Sequence, residues 1–419
     1  MPWKVSDSMD QRIRMIVDYD SGDYTIAELG RMYNVSRPTV YKWLGRHRAE
    51  GVGGLGDRSR APRHHPHAVP AEIIEAVVAY RTLHPTFGPK KILARLQTEH
   101  PQTEWPARST IAAILRRHGL VADGRRRRRT PPYTQPFANC DGPNAVWCLD
   151  HMGWFLTGDG AKCEPLTLTD AFSRYLFRCQ VVANKGLAPT QAVLTAVFRE
   201  HGLPDAIRSD NGSPFASRGI GGLSRLSVWL IRLGITPERI EPGRPDQNGR
   251  HERMHRTVQQ ATARPAQQTL RRQQCAFDTF RREYNHERPH EGLGMATPAA
   301  VYRPSSRPFP RRLPAMEYPS GLVTRMMQSR GEFHWRGERV FLGEALSGQR
   351  IGLERISDEH WLVYFCRHLL GVFDSRRYSV FTGKAAKSAC VAAGVVDPSR
   401  GPSATLQGLW TDRPIGRIV

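Results

Sequence analysis

The chain has 419 residues, too many for one ordinary domain, and its length alone suggests roughly three. Its 61 Lys and Arg against 39 Asp and Glu give a formal charge of +22, more than solubility requires, so a polyanionic partner is expected and nucleic acid is the commonest one. Seven cysteines include no Cys-x-x-Cys pair, no signal sequence opens the chain and no apolar run is long enough to span a membrane, which argues against a disulfide scaffold or a membrane protein and predicts a cytoplasmic one.

The basic excess is spread along the chain. Residues 1–136 hold 23 basic and 13 acidic residues, so nucleic-acid contact is not confined to one end. Within that stretch, residues 9–48 predict three short helices. Ile13, Ile16 and Val17 give the first an apolar stripe, and Ala27 and Gly30 let the helices approach closely. Ser36 can cap the third, with Pro38 in its first turn. Val40, Trp43 and Leu44 then face inward, while Arg37, Thr39, Lys42 and Arg46 point away as candidate DNA contacts. The pattern resembles a helix-turn-helix whose second helix enters the major groove; the alternative is a generic three-helix bundle. A similar plan repeats, with helices predicted over 71–83, from Gly88 onward, and over 109–118, and Arg108 is a further candidate contact. The domain plan is 1–50 (helix-turn-helix), 51–67 (linker rich in Gly, Arg, Pro and His) and 68–122 (a second helix-turn-helix or winged-helix-like domain).

A basic linker follows over 123–137. Its run Arg125, Arg126, Arg127, Arg128 and Arg129 repels itself, and phosphates would neutralise it; a solvated linker is the alternative. From residue 144 the period changes. Strands are predicted over 146–155, 165–170 and 175–183, then a helix at 188–201, a strand at 206–210, a helix at 223–233, a strand at 239–241 and a helix at 248–263. Strands first and then alternation give a mixed α/β sheet over 138–305. Past 318 only short strands occur, including a hairpin over 333–341 turning at Gly337, and a small all-β barrel is expected over 318–385. Residues 386–419 are unassigned.

Three acids stand in distinctive surroundings. Asp150 lies in an apolar run of Val, Trp, Cys, Leu, Met, Trp and Phe, where an isolated carboxylate is costly and a metal ion supplies a partner. Asp210 ends a strand and enters Asn211-Gly212. Glu252 sits early on a helix whose buried stripe is read as Met254, Val258 and Ala261, which groups it with His255, Arg256 and Gln259 on a face that can meet DNA. Three such acids at one point can hold two hard divalent cations through oxygen, an arrangement suited to phosphodiester chemistry. Asp246, with 35 residues between it and Asp210, rivals Glu252, which has 41; Glu252 is preferred because its neighbours match and Asp246 lies in a Pro-Gly turn. Asp170 is read as structural and Asp159 as a turn residue.

Five motifs in order carry a resemblance to a known family. They are Trp147-Cys-Leu-Asp150, Asp170-Ala-Phe-Ser-Arg-Tyr175, Ser209-Asp210-Asn-Gly212, Pro242-Gly-Arg-Pro-Asp-Gln-Asn-Gly249 with His251-Glu252-Arg253, and Tyr284-Asn-His-Glu-Arg-Pro-His290. Together they resemble bacterial insertion-sequence transposases with a DDE integrase-type core, related to retroviral integrase. The resemblance implies a multidomain fold: helix-turn-helix modules, an α/β RNase H-like mixed-sheet catalytic core and a small SH3-like C-terminal barrel. It implies Asp150, Asp210 and Glu252 as ligands of two Mg2+ (or Mn2+) ions; the place two turns after the Glu, often basic in the family, is Gln259 here, and Arg256 is taken in its stead to hold the DNA end. It also implies binding to double-stranded DNA at terminal inverted repeats, release of 3′-hydroxyl ends and their transfer into target DNA by a homo-oligomer in a synaptic complex, in a nucleoid-associated cytoplasmic setting. The rival functions are a catalytically silent DNA-binding regulator derived from a transposase, and a plain ribonuclease H-type nuclease.

Overall fold

The computed structural model describes residues 7–59, 68–121, 140–215, 217, 219–240 and 249–382. The arginine run 125–129, the rival Asp246 and the tail 386–419 lie outside the described residues. The chain divides into two compact units, Met1–Val69 and Pro70–Val419.

In the first unit, α1 (Ser8–Asp20), α2 (Ile26–Met32) and α3 (Arg37–Glu50) surround a core of Met15, Ile16, Leu29, Val40, Trp43, Leu44 and Leu55. A capping box starts α2: the Thr25 hydroxyl accepts the Glu28 amide, and the Glu28 carboxylate accepts the Thr25 amide at 2.8 Å. Val40, Trp43 and Leu44 face inward as predicted, whereas Val17 is 61 % exposed and Met15 takes its place in the core. The buried stripe runs through Met9, Ile13 and Ile16, and Val17 lies one helical step beyond it on the solvent side. Ser36 makes no side-chain cap bond; its hydroxyl pairs with that of Thr39 at 2.9 Å. Residues 51–55, expected to open a linker, form a 3-10 turn that buries Leu55. Two features hold that turn in place. A Cβ on Gly54 would lie 2.5 Å from the Arg46 carbonyl, so only glycine allows the approach, and the Arg12 guanidinium donates to the Leu55 carbonyl and to Asp57, both at 2.8 Å.

The second unit opens with α4 (Ala71–Leu83), α5 (Pro89–Glu99) and α6 (Arg108–Arg117), where the repeated pattern places them. Next come β1 (Val146–His151), β2 (Phe155–Leu156), β3 (Lys162–Cys163), β4 (Pro165–Asp170), β5 (Leu176–Val181), α7 (Leu187–His201), β6 (Ala206–Ser209), α8 (Arg225–Arg232), β7 (Thr236–Arg239), α9 (Gly249–Thr262), α10 (Leu270–His286) and α11 (Pro298–Val301). The five-stranded sheet has the order β5-β4-β1-β6-β7; β4 runs antiparallel to β1 and β5, while β6 runs parallel to β1 and β7. It is the mixed sheet expected. The strand expected at 146–155 is cut after His151, because β2 turns away to pair with β3. The strand expected at 239–241 lies earlier, where Thr236 to Arg239 match Ala206 to Ser209 in parallel register. The long helix α10 was not foreseen; its inner face carries Phe277, Phe280 and Tyr284. Trp147, Leu149, Leu166, Leu168 and Phe177 pack against Leu194, Val197 and Phe198 of α7 in one core, and Leu176 and Cys179 join Met254, Val258, Phe277 and Phe280 of α9 and α10 in another.

The C-terminal part holds β8 (Val323–Met326), β9 (Glu332–Trp335), β10 (Glu338–Phe341), β11 (Arg350–Arg355), β12 (His360–Phe365), β13 (His368–Asp374) and β14 (Ser379–Phe381). Five of them form an antiparallel sheet in the order β14-β13-β12-β11-β8, and β9-β10 is the expected hairpin, with Arg336 and Gly337 both at positive φ in its turn. Its core of Phe333, Trp335, Leu353, Val363 and Phe373 takes in Val228 and Ile231 of α8.

Candidate active site

Two of the sequence-selected acids lie at the C-terminal ends of neighbouring parallel strands, Asp150 within β1 and Asp210 just past β6. β1 and β6 pair in parallel through Val146↔Ala206, Trp147↔Ile207 and Cys148↔Arg208. The pairing ends there, two residues before Asp150 and Asp210. Asp150 stands opposite Thr167 of β4 and so shares its face of the sheet, the face covered by α9. Both acids are half-buried. The Gly212 amide donates to Asp210 Oδ1 at 3.1 Å, and the Asn211 amide donates to the Ile240 carbonyl at 2.8 Å, which ties the loop after β6 to the end of β7.

Glu252 lies on the first turn of α9, exposed. The helix turns about 100° per residue, so Glu252 shares a flank with His255 rather than with Met254. Met254 and Val258 are buried as expected, but Ala261 is exposed and Thr262 closes the stripe, its hydroxyl donating to the Val258 carbonyl at 2.8 Å. His255, selected as a DNA contact, turns inward instead, with Nε2 2.7 Å from the Thr167 hydroxyl. Arg256 is exposed.

His251, whose role the sequence does not reveal, is fully enclosed. Its Nδ1 is 2.9 Å from the Thr169 hydroxyl and its Nε2 is 2.7 Å from that of Thr167. Thr167 also donates to the Asp150 carbonyl at 3.0 Å, so one hydroxyl links β1, β4 and α9. Burial, and then His255, drive the His251 pKa well below 6.5, and burial lowers that of His255 to about 4, so both rings are neutral at neutral pH. Among the described residues, one set of three His, Cys, Asp or Glu brings its ligand atoms within 4.8 Å of one another: Asp150, His251 and His255. Asp210 and Glu252 stand outside that set. The spacing of the two histidines, four apart on a helix, is the signal that could have found it.

His151 also escaped notice. Both ring nitrogens are buried without a hydrogen-bond partner, its ring lies 5.7 Å from that of Phe215, and burial lowers its pKa, followed by Lys185, while Glu164 and Asp210 oppose the shift. Asp170 is structural, as read: its carboxylate accepts the Asn144 amide at 2.8 Å, the Ser173 amide at 2.7 Å and the Ser173 hydroxyl at 2.6 Å, which fixes the turn after β4. Asp159 is the turn residue expected, accepting the Thr157 hydroxyl and the Ala161 amide. In the first unit Arg37 and Lys42 are exposed and Thr39 and Arg46 half-exposed; Lys42 and Arg46 flank the Trp43 ring at 4.8 and 5.0 Å. Arg108 is exposed at the start of α6.

Three-helix modules with exposed cationic residues and a mixed sheet carrying acids at its strand ends fit a DNA-binding protein with an integrase-type core. Comparison agrees. Integrase core domain families match residues 141–245 and 233–298, a helix-turn-helix domain matches 11–63 and a homeodomain-like domain matches 39–115. An insertion element IS136 protein of Agrobacterium fabrum is 30% identical over 175 residues, 39% of this chain and 85% of that protein. An insertion element IS407 protein of Burkholderia multivorans is 26% identical over 242 residues, 57% of this chain and 82% of that protein. Among solved structures, the catalytic core domain of BIV integrase aligns with a TM-score of 0.30 at 20% identity, covering 38% of this chain and 93% of that one. The chain belongs to the bacterial insertion-sequence transposases with a DDE integrase-like core.

Proposed function

We propose that the chain binds the terminal inverted repeats of its element, cuts the DNA to free 3′-hydroxyl ends and joins those ends to target DNA, acting as a homo-oligomer in a synaptic complex. Asp150, Asp210 and Glu252 would hold two Mg2+ (or Mn2+) ions. The donor set fits such ions, since all three side chains offer hard carboxylate oxygens, and a bound pair supplies charge stabilisation to the attacking and leaving oxygens of a phosphodiester. The supporting observation is the parallel pairing of β1 with β6, which carries Asp150 and Asp210 toward the same edge of the sheet, with Asp150 on the face α9 covers. The protein's own groups do the positioning. Asn211 fixes the loop that carries Asp210, Thr167 fixes α9 against β1 and β4, and the exposed Arg256 can meet a phosphate. We take Arg37, Thr39, Lys42 and Arg46 as base and backbone contacts of the first unit, and Arg108 and Arg125 to Arg129 as phosphate contacts. The C-terminal strands are taken to close into an SH3-like barrel over an RNase H-like core.

The test is strand transfer with terminal-repeat DNA and Mg2+. Asp150→Asn, Asp210→Asn and Glu252→Gln are each expected to lose at least about 100-fold in joining, while gel-shift affinity for the ends is kept. A second reading, a catalytically silent regulator, finds support in the exposed position of Glu252. Ends that are bound but never nicked would establish it.

A further inference from the structure

His251-Glu252-Arg253-Met254-His255 spells His-Glu-x-x-His on a helix, the spacing with which two imidazoles on one helix face bind zinc. In isolation such a string is a weak signal. Here a carboxylate stands where a third ligand belongs, because Asp150 and both histidines bring ligand atoms within 4.8 Å of one another. Ligands held about 2.0–2.1 Å from a tetrahedral ion are roughly 3.4 Å apart, so modest side-chain rotation closes the set. The supporting shell is present as well. Thr169 holds His251 through Nδ1 at 2.9 Å, which fixes the ring and leaves Nε2 to face inward. Both Nε2 atoms converge on one oxygen, the Thr167 hydroxyl, at 2.7 Å each. A bound ion would take the place of that hydroxyl between the two nitrogens.

We propose that Asp150, His251 and His255 form a binding site for an imidazole-preferring transition-metal cation, Zn2+ foremost, and that its occupation withdraws Asp150 from the magnesium pair. Nitrogen donors discriminate: Mg2+ prefers oxygen and water, whereas Zn2+, Co2+ and Ni2+ accept imidazole readily. Zinc would therefore inhibit rather than replace magnesium. The inhibitory half of the proposal rests on the function proposed above; the binding half does not.

The experiment uses the full chain stripped of metal and titrated with Co2+, whose visible ligand-field bands report coordination number and donor type. One equivalent is expected to bind with a low-coordinate, nitrogen-containing spectrum, and Zn2+ should displace it. Asp150→Asn and His255→Gln should each weaken that equivalent by at least about tenfold. Gln at 255 can still bond to Thr167, and circular dichroism checks that each variant is folded; should one fail to fold, the other decides. Co2+ bound equally by wild type and variants, or only with the octahedral spectrum of exposed histidines, overturns the site. Joining assays in Mg2+ separate the two claims. Stoichiometric Zn2+ should suppress joining by the wild type, and Zn2+ that binds at the site without suppressing joining overturns the inhibitory half. Absence of joining in Mg2+ alone defeats the proposed function and leaves the Co2+ result standing.

Discussion

Asp170 shows how far a single side chain can be read without its neighbours. Its role is fixed locally: the Asn144 amide and both polar groups of Ser173 consume the carboxylate. Burial raises its pKa, and those hydrogen bonds oppose the shift without reversing it. Asp170→Ala leaves two buried amides unpaired and is expected to cost about 2–4 kcal/mol in urea unfolding. A loss below about 1 kcal/mol would show that water replaces the carboxylate. Asp150 was singled out because an apolar run makes a lone acid conspicuous, and Asp210 because a strand ends at Asn-Gly. The roles of His251 and His255 were not. They depend on Thr167 and Thr169, more than 80 positions earlier, and only sheet register brings those hydroxyls under α9. Thr169→Val keeps the shape of the side chain but strands His251 Nδ1, and it should destabilise the fold by about 1–3 kcal/mol, measured in the same way.

The motif from Tyr284 to His290 was a mark of resemblance in the sequence, and the structure gives it a mechanical use at the end of α10. Asn285 is buried and bolts α10 to β5, accepting from the Leu176 amide at 2.8 Å and donating to the Leu176 carbonyl at 2.9 Å. Arg288 donates to the Thr86 hydroxyl at 2.8 Å and stacks 5.1 Å from the Phe87 ring, so it holds the α4–α5 turn. Helix α10 escaped prediction because its apolar positions, Phe277, Phe280 and Tyr284, are diluted by arginines and by Gln273 and Gln274, which bond to α9 and β5. Among α1 to α6, the capping box of α2 and the first-turn prolines of α3 and α5 mark helix starts that the sequence shows. The junction held by Arg288 concentrates positive charge. Burial, then Arg288, lowers the Lys91 pKa to about 7, and burial, followed by Lys91, Arg288 and Arg174, lowers that of His290 to about 3. Both folded values lie below the unfolded ones, so the unfolded chain binds more protons and stability rises with pH in each window. For His290 the contribution is complete above 6.5 and is lost as pH falls toward 3; for Lys91 the penalty is complete below about 7 and is relieved toward 10.5. Lys91→Met should therefore raise thermal stability at pH 7, on the order of 1 kcal/mol after allowance for solvent screening, with the gain vanishing toward pH 10. A gain that is constant with pH would assign it to packing instead.

Taken whole, the molecule places its excess of +22 on elements with different duties. The first unit presents Arg37 and Lys42 from a helix with a self-contained apolar core, a surface that can discriminate between bases. The arginine run 125–129, outside the described residues, has no side-chain variety with which to read sequence, so its contribution should be electrostatic. Composition made this division legible, whereas the pairing of strands into one mixed sheet required the register that only the fold supplies. The two contributions separate in salt. A protein that neutralises phosphates releases counterions, and log K falls linearly with log salt at about 0.9 per phosphate on duplex DNA. Replacing Arg125 to Arg129 with serine should lower that slope by up to about 4–5 and weaken binding to end DNA and random DNA by the same factor. Arg37→Ala, or Lys42→Ala, should instead reduce the ratio between end DNA and random DNA, at roughly 1–3 kcal/mol for a lost base contact. Fluorescence anisotropy at a series of salt concentrations measures both quantities. If the serine variant loses discrimination while its slope is unchanged, the arginines contact bases and the division of labour is wrong. If Arg37→Ala weakens all sequences equally, that residue holds only the backbone.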